Sequence, residues 1–366
     1  MIQEPYGEPL AELDTPALCI DLDAMGRNIE RMASHLKERG VSWRPHQKCH
    51  KSPAIAHKLL DAGAMGMTCA KVSDAEVMAA AGVRDLLIAN MIVGERKLER
   101  LASLCRWADP VVACDHFVQA EKLAEVCRRR GVTCRVIIEV DIGMNRVGVR
   151  PGRDTLELAQ GIDRLDGVQL AGIMGYEGHL LRIPDPDEKR RQINEAIGTL
   201  LYCRDRLLEH GLNCEIVSAG GTGSYQITAD CEGVTELQAG GGIFGDPFYL
   251  QQCGLAGHDS ALTVLATVVS RPSLTRAVLD SGKKTLYADL QLPVVKDFPD
   301  AKVQSLSAEH CLVELGAESQ NWTIGDKVEL FVGYADLTTV LHDRFYGIRD
   351  GIVETVWPIL GRGKLQ

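Results

Sequence analysis

Apolar and polar positions alternate in a regular way between Val41 and Phe244. Short apolar runs bounded by turn-forming residues predict strands, whereas apolar residues that recur every three or four positions predict helices. The pattern predicts eight strands, at residues 41–46, 66–70, 85–90, 110–115, 134–141, 170–178, 214–221 and 235–244. Because these strands alternate with helical segments, we predict an α/β fold built on a parallel (β/α)8 barrel of the TIM type rather than an open sheet.

Amphipathic segments fill most of the connections between the predicted strands. Helical spacing predicts helices at residues 23–39, 53–62, 72–81, 97–107, 118–130 and 188–210. The connection after the seventh strand is different, because residues 223–233 carry little helical pattern.

From Leu262 onward the pattern changes to strand-like runs without long helices. These runs cover residues 262–269, 276–280, 310–314, 327–332 and 351–357, and they predict a separate β domain. The early run at residues 17–21 precedes the barrel and is predicted to pair with that domain. We therefore expect a barrel at residues 23–255 and a β domain formed by residues 1–22 and 256–366.

Composition narrows the class of protein. Hydrophobic residues make up 45% of the chain and charged residues 25%, as in ordinary globular proteins. The 40 basic and 50 acidic residues give a net charge of −10 without a basic stripe, which argues against a nucleic-acid partner. No apolar run approaches the roughly 20 residues that a membrane span needs, and the N-terminus lacks a signal-peptide pattern. We therefore expect a cytoplasmic protein without a membrane partner.

The 12 cysteines occur singly, without a Cys-x-x-Cys pair. This spacing argues against a zinc ribbon or a thioredoxin-type redox site. In a reducing compartment we expect small buried thiols, for example at Cys69, Cys114 and Cys134.

The segment at residues 44–51, RPHQKCHK, is the first candidate for chemistry. A lysine amine condenses with an aldehyde only when it is held in place and partly deprotonated, and burial beside other cations favours the neutral amine. Lys48 follows the first predicted strand and is the candidate for a Schiff base. Lys51 is the alternative at this point, and a solvated basic loop is a third interpretation.

Polar residues also follow the other predicted barrel strands. Asp141 and Arg146 follow the fifth strand, Tyr176 and His179 follow the sixth, and Ser218 with a glycine run ends the seventh. Barrel enzymes place their catalytic groups at this end of the strands. The sequence therefore predicts one site that is lined by these residues and Lys48.

Two glycine-rich segments end the last two barrel strands. Residues 220–224, GGTGS, offer backbone amides and two hydroxyls that could hold a phosphate. Residues 240–242, GGG, could complete that site. Simple turn chemistry is the alternative, but phosphate sites after the seventh and eighth strands recur in TIM barrels.

Four motifs carry a specific resemblance: RPHxKxHK at residues 44–51, EVDxGxxRxGV at 139–149, GGTGS at 220–224 and TELQAG at 235–240. They resemble the D-threonine aldolase family of pyridoxal-phosphate enzymes, which includes 3-hydroxy-D-aspartate aldolases and D-serine dehydratases and shares the alanine racemase fold. Further similar segments at residues 71–76, 280–284, 309–310 and 353–357 extend the resemblance through nearly the whole chain.

The resemblance implies pyridoxal 5′-phosphate as cofactor and a homodimer. It implies that Lys48 forms the Schiff base and moves a proton during catalysis, with His46 beside the cofactor. Arg146 is expected near the phenolic oxygen of the cofactor and Tyr176 at the pyridine nitrogen. The phosphate is expected to be bound by Gly221, Thr222, Gly223, Ser224, Gly240 and Gly241.

The chain departs from the family pattern at Tyr334-Ala335-Asp336. The family usually has His-x-Asp or His-x-Cys there, and this pair binds a divalent metal that grips the β-hydroxyl of the substrate. Asp336 with waters would hold Mn²⁺ or Mg²⁺ only weakly unless other oxygens converge. Glu177, His179 or His342 could replace the missing ligand. Alternatively, Tyr334 could act directly as an acid or base.

These observations predict a lyase that cleaves a D-β-hydroxy amino acid to glycine and an aldehyde, with Lys48, Tyr334 and His179 as catalytic candidates. One alternative is a metal-independent racemase or epimerase in which Tyr334 is the second base. Another is a D-β-hydroxy amino acid dehydratase. A non-enzymatic pyridoxal-phosphate-binding protein is disfavoured, because such proteins usually comprise the barrel alone.

Overall fold

The computed structural model describes residues 4–366. These residues form two compact units, and neither unit is continuous in sequence. The first, which we call the β unit, contains residues 4–30, Cys49–Ser52 and Gly241–Arg362. The second, the barrel unit, contains Arg31–Lys48, Pro53–Gly240 and Gly363–Gln366. The unit boundaries lie at residues 30 and 240, whereas the sequence pattern places them at 22 and 255.

The strands are numbered in chain order. They are β1 (Ala17–Asp21), β2 (Ser42–Trp43), β3 (Met67–Cys69), β4 (Asp85–Ile88), β5 (Asp109–Cys114), β6 (Cys134–Glu139), β7 (Val168–Met174), β8 (Ile216–Ala219), β9 (Glu236–Leu237), β10 (Leu262–Ser273), β11 (Arg276–Leu279), β12 (Val294–Val295), β13 (Lys302–Leu306), β14 (Cys311–Glu314), β15 (Lys327–Phe331), β16 (Arg344–Arg349) and β17 (Ile352–Pro358).

The helices are α1 (Leu22–Glu38), α2 (Pro53–Asp61), α3 (Val72–Ala80), α4 (Glu95–Leu104), α5 (Phe117–Arg130), α6 (Arg153–Asp163), α7 (Pro186–Glu209), α8 (Tyr225–Thr228) and α9 (Ala335–Thr338). Short helical turns cover Leu10–Glu12, Gln47–Cys49, Gly178–Leu180, Gly241–Ile243, Phe248–Gln252 and Thr339–Leu341. The single turn of α8 agrees with the weak helical pattern after the seventh barrel strand.

The barrel unit contains a parallel sheet of eight strands in the order β2-β9-β8-β7-β6-β5-β4-β3. A parallel bridge between His46 and Thr68 joins the two ends of this order. The eight strands coincide with the eight apolar runs, so the predicted (β/α)8 barrel is confirmed. Its core is aliphatic and includes Leu87, Val111, Ala113, Ile137, Ala171 and Met174.

A buried ion pair links three strands of the barrel. The guanidinium of Arg44 donates through Nε and Nη2 to the carboxylate of Glu236 at 2.8–3.0 Å, and it also contacts Asp85. Arg44 and Glu236 are almost fully buried. This pair therefore fixes the segment after β2, which carries Lys48, against β9 and β4.

The β unit contains a sheet in the order β13-β14-β11-β10-β1-β16-β17, in which β15 pairs with β10 and β12. Strand β1 is antiparallel to β10 and parallel to β16. This confirms the predicted pairing of residues 17–21 with the C-terminal strands. The sequence pattern missed β12, β13 and β16.

The 12 cysteines are not paired in disulfides within residues 4–366, and ten of them are buried, including Cys69, Cys114 and Cys134. Burial raises the pKa of the Cys114 thiol well above its usual value, which is consistent with an inert, packed side chain. Among residues 4–366, no helix has the length and apolar character to cross a membrane.

Candidate active site

The carboxyl ends of five neighbouring barrel strands carry the predicted site residues. Lys48 follows β2, Gly240 follows β9 and the glycine loop at residues 220–224 follows β8. Tyr176 and His179 follow β7, and Arg146 follows β6. Because parallel strands end at the same edge of a sheet, the barrel brings these five segments to one mouth.

Lys48 lies in a helical turn, Gln47–Cys49, that follows β2. Its side chain is half-buried, and its backbone N–H donates to Nδ1 of His46 at 3.3 Å. The His46 N–H donates in turn to the carbonyl of Gln238, just after β9. A Cβ on Gly240 would lie 2.2 Å from the His46 carbonyl oxygen, so only glycine fits there. The backbone around Lys48 is therefore closely fixed.

Arg146 and Tyr176 form the next part of the mouth. The guanidinium carbon of Arg146 lies 5.7 Å from the centre of the Tyr176 ring, a cation–π distance. Arg146 also lies 3.5 Å from the carboxylate of Glu139, at the end of β6. Burial raises the pKa of Glu139, and the charge of Arg146 partly offsets that effect.

Tyr176 packs directly on the glycine loop. A Cβ on Gly221 would lie 2.7 Å from Cε2 and 2.9 Å from the hydroxyl of Tyr176. A Cβ on Gly178 would lie 2.4 Å from the other edge of the same ring. The two glycines thus form a cradle for the phenol, and a side chain at either position would displace it.

The loop is closed by its own hydrogen bonds. The Gly221 N–H donates to Oγ of Ser224 at 3.1 Å, and the N–H groups of Ser224 and Tyr225 donate to the Gly221 carbonyl. The Ser224 hydroxyl donates its one proton to Glu177 at 2.7 Å. Among the described residues, no acceptor lies within hydrogen-bonding distance of the Gly223 N–H. Gly223 therefore retains a buried backbone donor.

Two charged side chains contact this loop. Glu177 is fully buried and accepts the hydroxyl protons of Ser224 and Thr228 and, at 3.4 Å, the Gly220 N–H. Lys189, on α7, is 7% exposed, and its Nζ donates to the Gly223 carbonyl at 2.8 Å. In this structure the carboxylate of Glu177 is therefore engaged by the glycine loop and Thr228.

Two further candidates, His179 and Lys51, lie in different surroundings. His179 is exposed, and its ring packs on Gly143 in the segment after β6. Lys51 is buried and adopts a left-handed backbone conformation with φ 49°. Its carbonyl accepts the Gly361 N–H within the β unit. Lys48, with a half-buried side chain in the barrel unit, is therefore the better candidate for the Schiff base.

The β unit holds the remaining predicted residues, Gly241, Tyr334 and Asp336. Gly241 begins a buried helical turn. Tyr334 caps α9 and packs against the rings of Phe248, Tyr249 and Tyr287 at 5.2–6.3 Å. Its hydroxyl donates to Oδ2 of Asp336 at 2.8 Å. The tyrosine and the buried carboxylate therefore form a hydrogen-bonded pair.

The fully buried carboxylate of Asp246 binds the backbone next to this pair. It accepts the N–H groups of Tyr249 at 3.1 Å and Ala335 at 2.9 Å. Burial raises the pKa of Asp246 to about 8. Asp246 thereby fixes the backbone at the start of α9, where Tyr334 and Asp336 lie.

The residues around Asp336 do not fit a divalent metal. Among residues 4–366, no group of three or more His, Cys, Asp or Glu side chains is arranged to hold a metal ion. The imidazole that the motif usually supplies is replaced by a phenol, which engages the carboxylate itself. His342, a candidate replacement, directs Nε2 at the Thr285 carbonyl at 2.9 Å. Asp336 is therefore the acceptor of a phenol hydrogen bond, without the donor set that a metal centre requires.

Comparisons with known proteins agree with this architecture. Residues 20–247 match the family described as the alanine racemase N-terminal domain, and residues 261–348 match a serine dehydratase domain. A D-threonine aldolase from Arthrobacter sp. is 35% identical over 98% of this chain and 95% of the relative. A 3-hydroxy-D-aspartate aldolase from Paracoccus denitrificans is 34% identical over 97% of this chain and 93% of the relative.

The crystal structure of D-threonine aldolase from Filomicrobium marinum superposes with a TM-score of 0.96 and 37% identity, over 99% of this chain and all of the other. The barrel, the β unit and the mouth residues define an enzyme of the alanine racemase fold. The chain belongs to the family that includes D-threonine aldolase and 3-hydroxy-D-aspartate aldolase, whose members use pyridoxal phosphate.

The mouth of the barrel fits this cofactor. It offers a half-buried lysine, two glycines, Gly221 and Gly240, at which a Cβ would clash with Tyr176 and with the His46 backbone, and the buried Gly223 N–H. If the cofactor binds here, Lys48 would hold its aldehyde and the loop at residues 220–224 would hold its phosphate.

Sequence reasoning missed the contacts of Lys189 and Asp246 and did not foresee those of Glu177 with Ser224 and Thr228. Lys189 had a readable signal, because it occupies the same helical face as the buried Ile193, Ala196, Ile197 and Leu200 of α7. A charged residue on an apolar stripe is buried only with a partner. No comparable signal marks Asp246 in the sequence.

Proposed function

We propose that this protein is a pyridoxal-phosphate-dependent aldolase that cleaves a D-β-hydroxy amino acid to glycine and an aldehyde. The observation that carries the proposal is the full-length similarity to aldolases, at 37% identity and a TM-score of 0.96 for the D-threonine aldolase structure. The mouth of the barrel supports it with a lysine, an arginine–tyrosine pair and a glycine loop on neighbouring strands.

Lys48 holds the cofactor, and Arg146 and Tyr176 orient its ring. When bound, pyridoxal phosphate supplies the electron sink that takes up the electron pair released from the Cα–Cβ bond. A neutral phenol such as Tyr176 at the pyridine nitrogen makes that sink weaker than a carboxylate would. Because the hydroxyl oxygen becomes the carbonyl oxygen of the aldehyde, the reaction also needs a base at the β-hydroxyl of the substrate.

Tyr334 is the proposed base. The proton of the β-hydroxyl moves to Oη of Tyr334 as the phenolic proton moves to Asp336, the β-carbon becomes a carbonyl, and the Cα–Cβ bond breaks. Lys48 then delivers a proton to Cα, which completes glycine. The 2.8 Å hydrogen bond from Tyr334 to Asp336 supports this proton path. His179, exposed in the barrel unit, is retained as a second acid–base candidate.

A second candidate function is a racemase or epimerase. It is favoured by the same Tyr334–Asp336 hydrogen bond, because a phenol beside a carboxylate could exchange the Cα proton directly. A dehydratase remains the third, and the match of residues 261–348 to a serine dehydratase domain supports it.

Proton NMR in heavy water distinguishes these functions. The cofactor-loaded enzyme is incubated with D-threonine or D-3-hydroxyaspartate, with and without a chelator. Glycine and an aldehyde are expected in both arms, whereas an intact skeleton that loses its Cα proton signal identifies a racemase, and a keto acid with ammonia identifies a dehydratase. Lys48→Ala is expected to abolish turnover, and full activity of that variant would remove the foundation of the proposal.

The proposed setting is a cytoplasmic homodimer that acts on a small amino acid. Twelve cysteines that form no disulfide within residues 4–366 support a reducing compartment. The family resemblance supports the dimer. Light scattering of the purified protein measures its mass against the 39.9 kDa of one chain.

A further inference from the structure

The glycine loop that follows β8 is held from outside by two buried, oppositely charged side chains. Glu177 comes from the segment after β7, and Lys189 comes from the first turns of α7. Both contact the loop itself, at Ser224 and at Gly223 respectively. Neither belongs to the glycine motif.

Glu177 fixes the internal order of the loop. One of its oxygens, Oε1, accepts the hydroxyls of Ser224 at 2.7 Å and Thr228 at 2.6 Å. The Ser224 oxygen then has a lone pair for the Gly221 N–H. Because a hydroxyl has one proton, Ser224 cannot give the same proton to an anion. Ser224 therefore stabilises the loop, and the proton donors for a phosphate come from elsewhere.

Lys189 fixes the opposite side of the loop. Its ammonium donates to the Gly223 carbonyl at 2.8 Å, and the side chain is 7% exposed. This bond keeps the carbonyl oxygen on the α7 side, where its lone pairs cannot face an anion. It also places a positive charge directly behind the loop, in surroundings that screen it less than water does.

We propose that Lys189 is a positioning residue that gives the cofactor site its selectivity for the 5′-phosphate group. Glu177 supports it by fixing the conformation of the loop. This rests on the proposed pyridoxal-phosphate function. The phosphate contributes three acceptor oxygens and close to two negative charges. Lys189 stabilises the negative charges of the phosphate by polarising the Gly223 peptide. Glu177 keeps the backbone N–H donors of the loop in place.

The test compares pyridoxal phosphate with pyridoxal, which lacks only the phosphate. Dissociation constants of both are measured by equilibrium dialysis on wild type, Lys189→Met and Thr228→Val. Lys189→Met is expected to weaken pyridoxal phosphate by about 10- to 100-fold, as for loss of a charged hydrogen bond, and pyridoxal by less than about 3-fold. Thr228→Val, which removes one donor to Glu177, is expected to weaken pyridoxal phosphate by about 2- to 10-fold.

Lys122→Met is the matched control, because Lys122 is an exposed lysine on α5 whose ion pair is with Glu125 on the same helix. The inference is overturned if the ratio of the two affinities in Lys189→Met equals that of wild type. Equal weakening of both ligands would show a merely structural role, and no weakening of either would show no role at all. Borohydride reduction and peptide mapping on wild type show separately whether pyridoxal phosphate attaches at Lys48, so failure of the proposed function is recognised on its own.

Phosphorus NMR of the wild-type complex keeps the inference testable if Lys189→Met does not fold. A positive charge behind the loop stabilises the dianion, so the bound phosphate is expected to stay dianionic well below its ordinary second pKa of about 6. A bound phosphate that titrates like the free cofactor would contradict the role of Lys189. Lys189→Arg, which keeps the charge, is expected to retain the preference for pyridoxal phosphate over pyridoxal.

Discussion

The buried imidazole of His50 is predicted to make the protein lose stability in mild acid. His50 is fully buried two residues after Lys48, and its Nδ1 accepts the Ser52 N–H at 3.1 Å. Burial, aided by the neighbouring charge of Lys51, lowers the pKa of His50 from 6.5 to about 3. The folded protein therefore keeps this imidazole neutral over a pH range in which the unfolded chain protonates it.

The magnitude follows from proton linkage. Each pKa unit between folded and unfolded states is worth about 1.4 kcal/mol. The folded-state pKa is depressed, so the stabilising contribution is fully present above pH 6.5 and is lost as the pH falls towards 3. The expected loss is about 2 kcal/mol at pH 5 and about 4 kcal/mol at pH 3.

The perturbation is His50→Asn, because the amide oxygen of Asn can replace Nδ1 as the acceptor for the Ser52 N–H without titrating. Urea unfolding of wild type and variant between pH 8 and pH 5 gives the difference in their free energies of unfolding. As the pH falls from 8 to 5, wild type is expected to lose about 2 kcal/mol of unfolding free energy relative to the variant. Acidic groups that titrate in both proteins cancel.

The same change at His116 is the matched control. His116 is exposed, and its Nδ1 also accepts a backbone N–H, that of Val118, at 3.2 Å. His116→Asn therefore repeats the same exchange at an exposed position with the same kind of hydrogen bond. A His50→Asn difference that stays constant between pH 8 and pH 5 would refute the reasoning.

Three substitutions test other parts of the structure. Arg44→Met leaves the buried Glu236 without its cation, so we expect a loss of about 3 to 5 kcal/mol in the free energy of unfolding, measured in urea; a loss below about 1 kcal/mol would contradict the buried ion pair. Gly221→Ala drives a Cβ into the ring of Tyr176, and we expect weaker cofactor binding in dialysis with little change in thermal stability. Tyr334→Phe removes the proposed base and is expected to lower kcat by about 10²- to 10⁴-fold with little effect on cofactor binding; unchanged kcat would exclude the role.

Periodicity predicted the barrel well because buried parallel strands carry uninterrupted apolar runs, such as residues 136–138 in β6. The alternation failed for β16, Arg344–Arg349, where charged residues at both ends mask the strand. Strand β12 has only two residues, Val294 and Val295, which is too short for a period.

The candidate site was predictable only in part. The order of polar residues after successive strands places Lys48, Arg146 and Tyr176 at one mouth, because topology alone brings strand ends together. The sequence does not reveal which hydrogen-bond donors of the glycine loop are already engaged by other residues of the protein. The contacts of Lys189 with Gly223 and of Glu177 with Ser224 join residues 34 and 47 positions apart, so only the folded chain brings them together.

Strand β1 has a consequence for the order in which the chain is made. Four of its five residues are buried, and its neighbours β10 and β16 begin at Leu262 and Arg344. At about 5 to 20 residues per second, the ribosome releases β1 tens of seconds before either neighbour exists. During that interval β1 is an apolar strand without its neighbours. It is then a binding site for a chaperone that recognises extended apolar segments.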